Sequence, residues 1–167
     1  DCSNPAHHSD MEGLVRNLAL GLRQIHSLDI TDCPFDQTLE TKLEKARLNV
    51  ERGLVDEDDL QPEYQGKTAS ELYKMLLDRI PPREDLVFTH GDYCLPNIIL
   101  KDTKVSGFID LGRAGVADRY QDLALAVRSL KYNLQSDKLV DLFFEIYGIE
   151  DVDQSKVDFY ILLDEFF

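Results

Sequence analysis

The stretch His90-Gly91-Asp92-Tyr93-Cys94-Leu95-Pro96-Asn97, continued by Ile109-Asp110-Leu111-Gly112, gathers most of the chemistry-bearing residues of this chain. Leu86-Val87-Phe88-Thr89 runs into it as a short strand, and Ile98-Ile99-Leu100 and Val105 to Ile109 follow as two more. Lys101-Asp102-Thr103-Lys104 reads as the turn between the later two. If those two pair antiparallel, Asn97 and Asp110 fall at the same open end. Two oxygen-bearing side chains then meet, as a hard divalent cation such as Mg²⁺ requires. Asp92 precedes Asn97 in a loop containing Gly91 and Pro96, where its carboxylate can face a substrate hydroxyl. A lone Asp or Asn in a loop ordinarily caps or turns. Three around one hairpin suit phosphoryl transfer, in which the protein positions groups and neutralises charge.

Outward from this centre the period becomes helical. A helix is predicted from about Asp10 to Leu28, opened by a Ser9/Glu12 capping box and carrying Leu14, Leu18, Leu22 and Ile25. His26 ends that stripe and reads as a hydrogen-bonded core or boundary residue. Thr38 is expected to cap a second helix with Leu39, Leu43, Ala46 and Val50, stopped at Gly53. A polar connection holding Asp56-Glu57-Asp58-Asp59 leads to a Thr68/Glu71 capping box and a third helix. That helix buries Leu72, Met75, Leu76 and Ile80 and stops at Pro81-Pro82, which cannot donate backbone hydrogen bonds. From Asp118 onward three more helices follow, one strongly apolar through Leu123 to Leu130, one capped by Ser136 and ended by Gly148, and one from about Asp153. The expected fold class is α+β, mainly helical, one unit over residues 1–167 with a small β insertion.

The chain has 167 residues, 18 basic and 32 acidic, for a formal net charge of −14. With 43% hydrophobic and 30% charged residues it can bury a core. Such acidity excludes a broad nucleic-acid footprint and favours a cationic partner. No apolar run reaches the roughly 18 residues of a membrane span, and no secretory signal opens the chain. Its first residue is Asp1 rather than Met, as in a fragment or processed product. Cys2, Cys33 and Cys94 are too few and too scattered for a disulfide framework, and a reduced, cytosolic setting is the simplest reading. Cys2 with His7 and His8 lacks metal-ligand spacing and reads as a terminus rather than a metal cluster.

The spacing of His90, Asp92 and Asn97 matches the kinase catalytic-loop signature H-x-D-x-x-x-x-N, with Ile109-Asp110-Leu111-Gly112 where the D-F-G segment would stand. More closely, the chain resembles the C-terminal lobe of the aminoglycoside 3′-phosphotransferases, the kanamycin and neomycin kinases of antibiotic-resistant bacteria. The resemblance rests on Gln24-Ile25-His26-Ser27-Leu28-Asp29, Cys33-Pro34-Phe35-Asp36, Gly53-Leu54-Val55-Asp56, Thr89-His90-Gly91-Asp92 and Cys94-Leu95-Pro96-Asn97. It continues through Gly107 to Arg113, Gly115 to Asp122, and Leu162-Leu163-Asp164-Glu165-Phe166-Phe167, so it spans essentially the whole sequence.

The resemblance implies a protein-kinase-like fold in which the small hairpin carries the catalytic loop. It implies ATP as co-substrate, Mg²⁺ as cofactor, and transfer of the γ-phosphoryl group to an aminoglycoside 3′-hydroxyl in the bacterial cytoplasm. Asp92 is then the catalytic aspartate, Asn97 and Asp110 hold Mg²⁺, and His90 supports the catalytic loop. Asp122 either braces that loop or is an ordinary first-turn helix acid. The polycationic substrate would meet Asp56, Glu57, Asp58, Asp59, Arg113, Arg128, Asp164, Glu165 and Phe167, the last through its α-carboxylate. Lys131-Tyr132 departs from the family, where an acidic side chain is expected.

No G-x-G-x-x-G, G-x-x-x-x-G-K-[ST] or V-A-I-K-like segment occurs, so the nucleotide-covering N-terminal lobe is expected to precede Asp1. Two further readings stand beside this one. One is a kinase-like phosphotransferase for another small alcohol, such as choline, homoserine or a macrolide. The other is a lobe that by itself is inactive and only binds cationic sugars.

Overall fold

The computed structural model describes residues 1–101 and 103–167, the side chains of Ala6, His7 and His8 excepted. The two histidines of the Cys2–His7–His8 grouping and Asp102 of the turn thus lie outside the described residues. Cys2 itself is buried, and its N–H reaches the carbonyls of Leu95 (3.2 Å) and Ile98 (2.9 Å), tying the chain start to the central loop.

Helix α1 (Met11–His26) buries Leu14, Leu18, Leu22 and Ile25 as its spacing predicts. Its cap is Asp10 rather than Ser9: the Asp10 carboxylate accepts Gly13 N–H at 2.9 Å, and Ser9 lies in the preceding 3-10 turn. A carboxylate there meets the orphan N–H groups with a full negative charge, which the helix dipole favours. Helix α2 (Leu39–Glu51) follows Thr38, and α3 (Ala69–Leu77) has the reciprocal Thr68/Glu71 capping box. Because α3 ends at Leu77, Ile80 is exposed rather than buried.

Strand β1 (Leu86–Thr89) is joined antiparallel by a strand that sequence periodicity did not reveal, here numbered β4 (Gly115–Asp118). Leu86 lies opposite Asp118 and Thr89 opposite Gly115. Between them β2 (Ile98–Lys101) and β3 (Lys104–Phe108) form the expected hairpin, with Ile98 opposite Phe108 and an irregularity between Ile99 and Leu100. The two pairs are separate two-stranded sheets.

The scaffold behind them is helical. Helix α4 (Tyr120–Leu134) is buried nearly all round because α5 (Asp137–Tyr147) and α6 (Gln154–Asp164) both pack on it, while α5 also covers α1. Asp118 knits the layers together. Its carboxylate takes Lys156 Nζ at 2.5 Å, Tyr120 N–H at 2.9 Å and Asp85 N–H at 3.1 Å, joining α6, the start of α4 and the entry to β1. Buried charges persist only when paired in this way. No helix among the described residues is long and apolar enough to cross a membrane.

Candidate active site

Strand β1 delivers the chain to His90, where the backbone leaves the sheet. Both exposed donors at that point are taken by one carboxylate: Asp122 accepts His90 N–H at 2.7 Å and Gly91 N–H at 2.8 Å. Asp122 is wholly buried in the first turn of α4, and His26 Nε2 lies 3.0 Å from its Oδ2. Of the two roles open to Asp122 from the sequence, the geometry is that of a brace for the loop. Gly91 has φ +87°, and a Cβ there would stand 2.0 Å from the Arg113 carbonyl oxygen, so only glycine lets the loop and the turn at residues 111–113 approach. His90 is buried between Tyr93 and Phe108, edge-on to both, and its Nδ1 accepts Asp92 N–H at 3.3 Å.

Asp92 therefore emerges from a fixed backbone. Asn97 Nδ2 reaches its Oδ2 at 2.9 Å and its carbonyl at 3.0 Å, and Arg113 Nη2 stands 3.3 Å from the same Oδ2. Ile109 N–H donates to the Asn97 carbonyl at 3.0 Å, which brings Asn97 and Asp110 to the same end of the hairpin, as the predicted pairing requires. Asp110 is exposed in the left-handed region (φ 59°, ψ 52°), which Asp tolerates better than most residues. With the Asn97 amide nitrogen committed to Asp92, its Oδ1 and the Asp110 carboxylate are the oxygen donors left at that end of the hairpin. Among the described residues no three His, Cys, Asp or Glu side chains gather into a metal cage. That sparse donor set fits Mg²⁺, which keeps waters and phosphate oxygens in its shell, and does not fit a structural transition-metal site.

Arg113 links this centre to a second one. Its Nη1 lies 2.8 Å from Asp164 Oδ1, and Arg128 Nη2 lies 2.6 Å from Asp164 Oδ2, so one buried carboxylate holds two guanidiniums. Burial pulls the Arg113 guanidinium down, but Asp164 and Asp92 outweigh it and leave Arg113 above its ordinary value. Beside them opens a cavity of about 360 Å³ lined in part by Asp56, Asp59, Arg128, Asp164, Glu165 and Phe167. Burial raises the Glu165 carboxyl, while the Gln61 N–H at 3.1 Å and Arg128 oppose that shift. Glu57 and Asp58, expected among the substrate contacts, do not line this cavity. Glu57 instead accepts Ala69 N–H at 2.7 Å at the start of α3, and Asp58 is an exposed turn residue whose N–H donates to Asp56.

Residues 1–160 match the phosphotransferase enzyme family APH. The chain belongs to that family. It is 54% identical over 153 residues to an aminoglycoside 3′-phosphotransferase of Niallia circulans, covering 92% of this chain and 58% of that one. The crystal structure of an aminoglycoside 3′-phosphotransferase of type VIII superposes with a TM-score of 0.90 at 36% identity, over 96% of this chain and 62% of the other. An aminoglycoside phosphotransferase of Streptomyces rimosus, solved with ADP and streptomycin, gives 0.86 at 35% identity, over 97% and 66%. The chain thus spans less than two thirds of the length of these APH relatives.

Several features of this APH member were not legible as site residues in the sequence. Lys42, a buried side chain on α2, places its Nζ 5.7 Å from the centre of the half-exposed Phe167 ring. Burial and the neighbouring Arg113 push its amine down to about 8, against the pull of Asp164. The signal in the sequence is its spacing alone, since a lysine three residues after Leu39 shares its face. Tyr132, the departure noted in the sequence, is 83% exposed beside a larger cavity of about 650 Å³ on the other side of Arg128.

Cys94 also lines that larger cavity, two residues from Asp92. Burial and then the Asp92 charge push its thiol up to about 11. Since the thiolate is the nucleophile, alkylation of Cys94 by iodoacetamide is expected to be slow at pH 8 and to rise about tenfold per pH unit toward pH 11. Mass-spectrometric rates at Cys94 that level off below pH 9 would contradict the assignment.

Proposed function

We propose that this chain is the substrate- and metal-binding lobe of an ATP-dependent aminoglycoside O-phosphotransferase that modifies the 3′-hydroxyl of kanamycin- or neomycin-like antibiotics and so confers resistance. The observation that carries the reading is a continuous link. Asp92 is held by Asn97 and Arg113, and Arg113 is held by Asp164, which lines a cavity walled by acids. An aminoglycoside presents several ammonium groups on a rigid ring frame. Asp56, Asp59 and Glu165 supply separate carboxylates for them, Asp164 being taken up by Arg113 and Arg128, and polycation binding sums contributions that are individually about 0–1 kcal/mol.

Seated there, the sugar would offer a hydroxyl to Asp92, whose carboxylate orients it and accepts its proton as the oxygen bonds to the γ-phosphorus of ATP and the γ-phosphorus bond to the bridging oxygen of ADP breaks. Asn97 and Arg113 fix the carboxylate so that little reorganisation accompanies the transfer. Asn97 and Asp110 would hold Mg²⁺, which supplies charge neutralisation for nucleotide phosphates. The remaining length of the relatives and the absence of a glycine-rich phosphate loop within residues 1–167 support an upstream nucleotide-covering lobe as partner. A cytoplasmic setting, where ATP is available, follows from the same reading.

A coupled assay for ADP release by the full-length enzyme, with kanamycin, ATP and Mg²⁺, tests it. Turnover that requires all three, with NMR placing phosphate on the 3′-oxygen, is expected. Turnover with choline or a macrolide but not kanamycin would replace the substrate class. Affinity for kanamycin is expected to fall steeply between low and physiological salt, as exposed charge pairs are screened.

A further inference from the structure

Behind Asp122 lies a chain of side chains that the transfer chemistry does not touch. Both Asp122 oxygens already accept backbone N–H groups, so His26 Nε2, 3.0 Å from Oδ2, is the donor in that contact. His26 therefore carries a proton on Nε2. Tyr147 Oη is 2.7 Å from Nδ1, and Arg119 Nη1 donates to the same Oη at 3.1 Å. The contacts run in series from Arg119 to Tyr147 to His26 to Asp122, which holds the loop from the other side. Arg119 is anchored in turn by Asp85, whose Oδ1 accepts from Nη2 at 3.1 Å.

We infer that Tyr147 and Arg119 are positioning residues for catalysis, holding the His26 ring against Asp122 and thereby the seat of Asp122 under the catalytic loop. This rests on the reading of Asp92 as the catalytic carboxylate. The ends of α1 and α5 meet here, and cations near helix C-termini are favourable wherever their hydrogen bonds point. That accounts for Arg23, whose Nη1 donates to the Ile146 carbonyl at 3.3 Å. It does not account for Arg119, which stands at the N-terminal end of α4 where a cation is disfavoured, nor for a phenol set between Arg119 and His26. A shallow opening of about 160 Å³, lined by Arg23, Ser27, Arg119 and Gly148, reaches His26 and Tyr147 from outside. Water therefore has access to Nδ1 once the phenol is gone. The ring of Tyr147 stands edge-on to His26 at 5.6 Å and stacks on Phe143 at 6.4 Å, so Tyr147→Phe removes the hydroxyl and keeps the packing.

In the full-length enzyme, Tyr147→Phe is expected to lower kcat roughly tenfold, the usual scale for an outer-shell hydrogen bond, while KM for kanamycin stays within about twofold. The His26 Nε2–H proton should show the downfield shift of a bond to a carboxylate in the wild type and lose part of that shift in the variant. Arg119→Met should act in the same direction and Arg119→Lys should restore much of the loss, since an amine still donates. Wild-type kcat in Tyr147→Phe would overturn the inference. So would a lowered kcat with the His26 Nε2–H shift unchanged, or one explained by the fraction of folded enzyme. A wild-type enzyme inactive on kanamycin would instead overturn the functional reading, and the proton shift separates the two failures.

Discussion

Asp92→Asn is expected to reduce kcat of the full-length enzyme by about 10²–10⁴-fold, the scale of a lost general base, with the fold intact. The amide keeps one oxygen for Asn97 Nδ2 or Arg113 Nη2, which lie 2.9 and 3.3 Å from Oδ2 in the native site. Arg113 retains Asp164 at 2.8 Å, so no guanidinium is left unpaired. Stability should change by no more than about 1 kcal/mol, the worth of a partly exposed ion pair. Kanamycin affinity should be nearly unchanged, because the acids lining the cavity are untouched. A steady-state assay beside a thermal melt checks this. Wild-type turnover in the variant would remove Asp92 from the chemistry, and a collapsed melting temperature would make its role one of folding.

The second large effect is expected from Gly91→Ala, which adds one methyl group. Its φ of +87° is unfavourable for any residue with a Cβ, and that Cβ would lie 2.0 Å from a backbone oxygen of Arg113. Left-handed strain costs about 1–2 kcal/mol and overpacking about 1–3 kcal/mol, so a loss near 3 kcal/mol is expected. For a chain of this size that lowers Tm by roughly 6–12 °C. Relief of the clash must separate the loop from the 111–113 turn, so the Asp92–Arg113 contact should open and kcat should fall as well. A variant with native Tm and native kcat would show that the close approach is not required.

The residues that pattern locally were the ones the sequence could reveal. The Thr68/Glu71 box, the Leu86–Thr89 strand and the Ile98–Phe108 hairpin each carry their signal within a few positions. Asn97 and Asp110 could be brought together on paper because an antiparallel hairpin leaves little freedom in register. Strand β4 was invisible for the opposite reason. Its four residues include a glycine and an aspartate, and its partner lies some thirty positions earlier with no turn to announce the pairing. The acidic run 56–59 has no period at all. Nothing local separates Asp56 and Asp59, which face the cavity, from Glu57, which is spent on the start of α3. Asp10 displaced Ser9 as a cap because adjacent capping residues differ only in register. The chain Arg119–Tyr147–His26 joins three distant segments through polar side-chain contacts, and hydrophobic patterning is silent about those.

The pairing of Thr89 with Gly115, reinforced by the Thr89 hydroxyl on the Gly115 carbonyl at 2.9 Å, closes the chain on itself. Everything from His90 to Ala114 is thereby a single excursion that returns to its point of departure. His90, Gly91, Asp92, Asn97, Asp110 and Arg113 all ride on it. The residues read as catalytic and metal-holding thus lie on one excursion, while the acids that line the cavity come from outside it. Substitutions at Asp56 or Asp59 therefore reach the cavity without touching this excursion, which the helical frame grips at Arg113 through Asp164 and at His90 and Gly91 through Asp122.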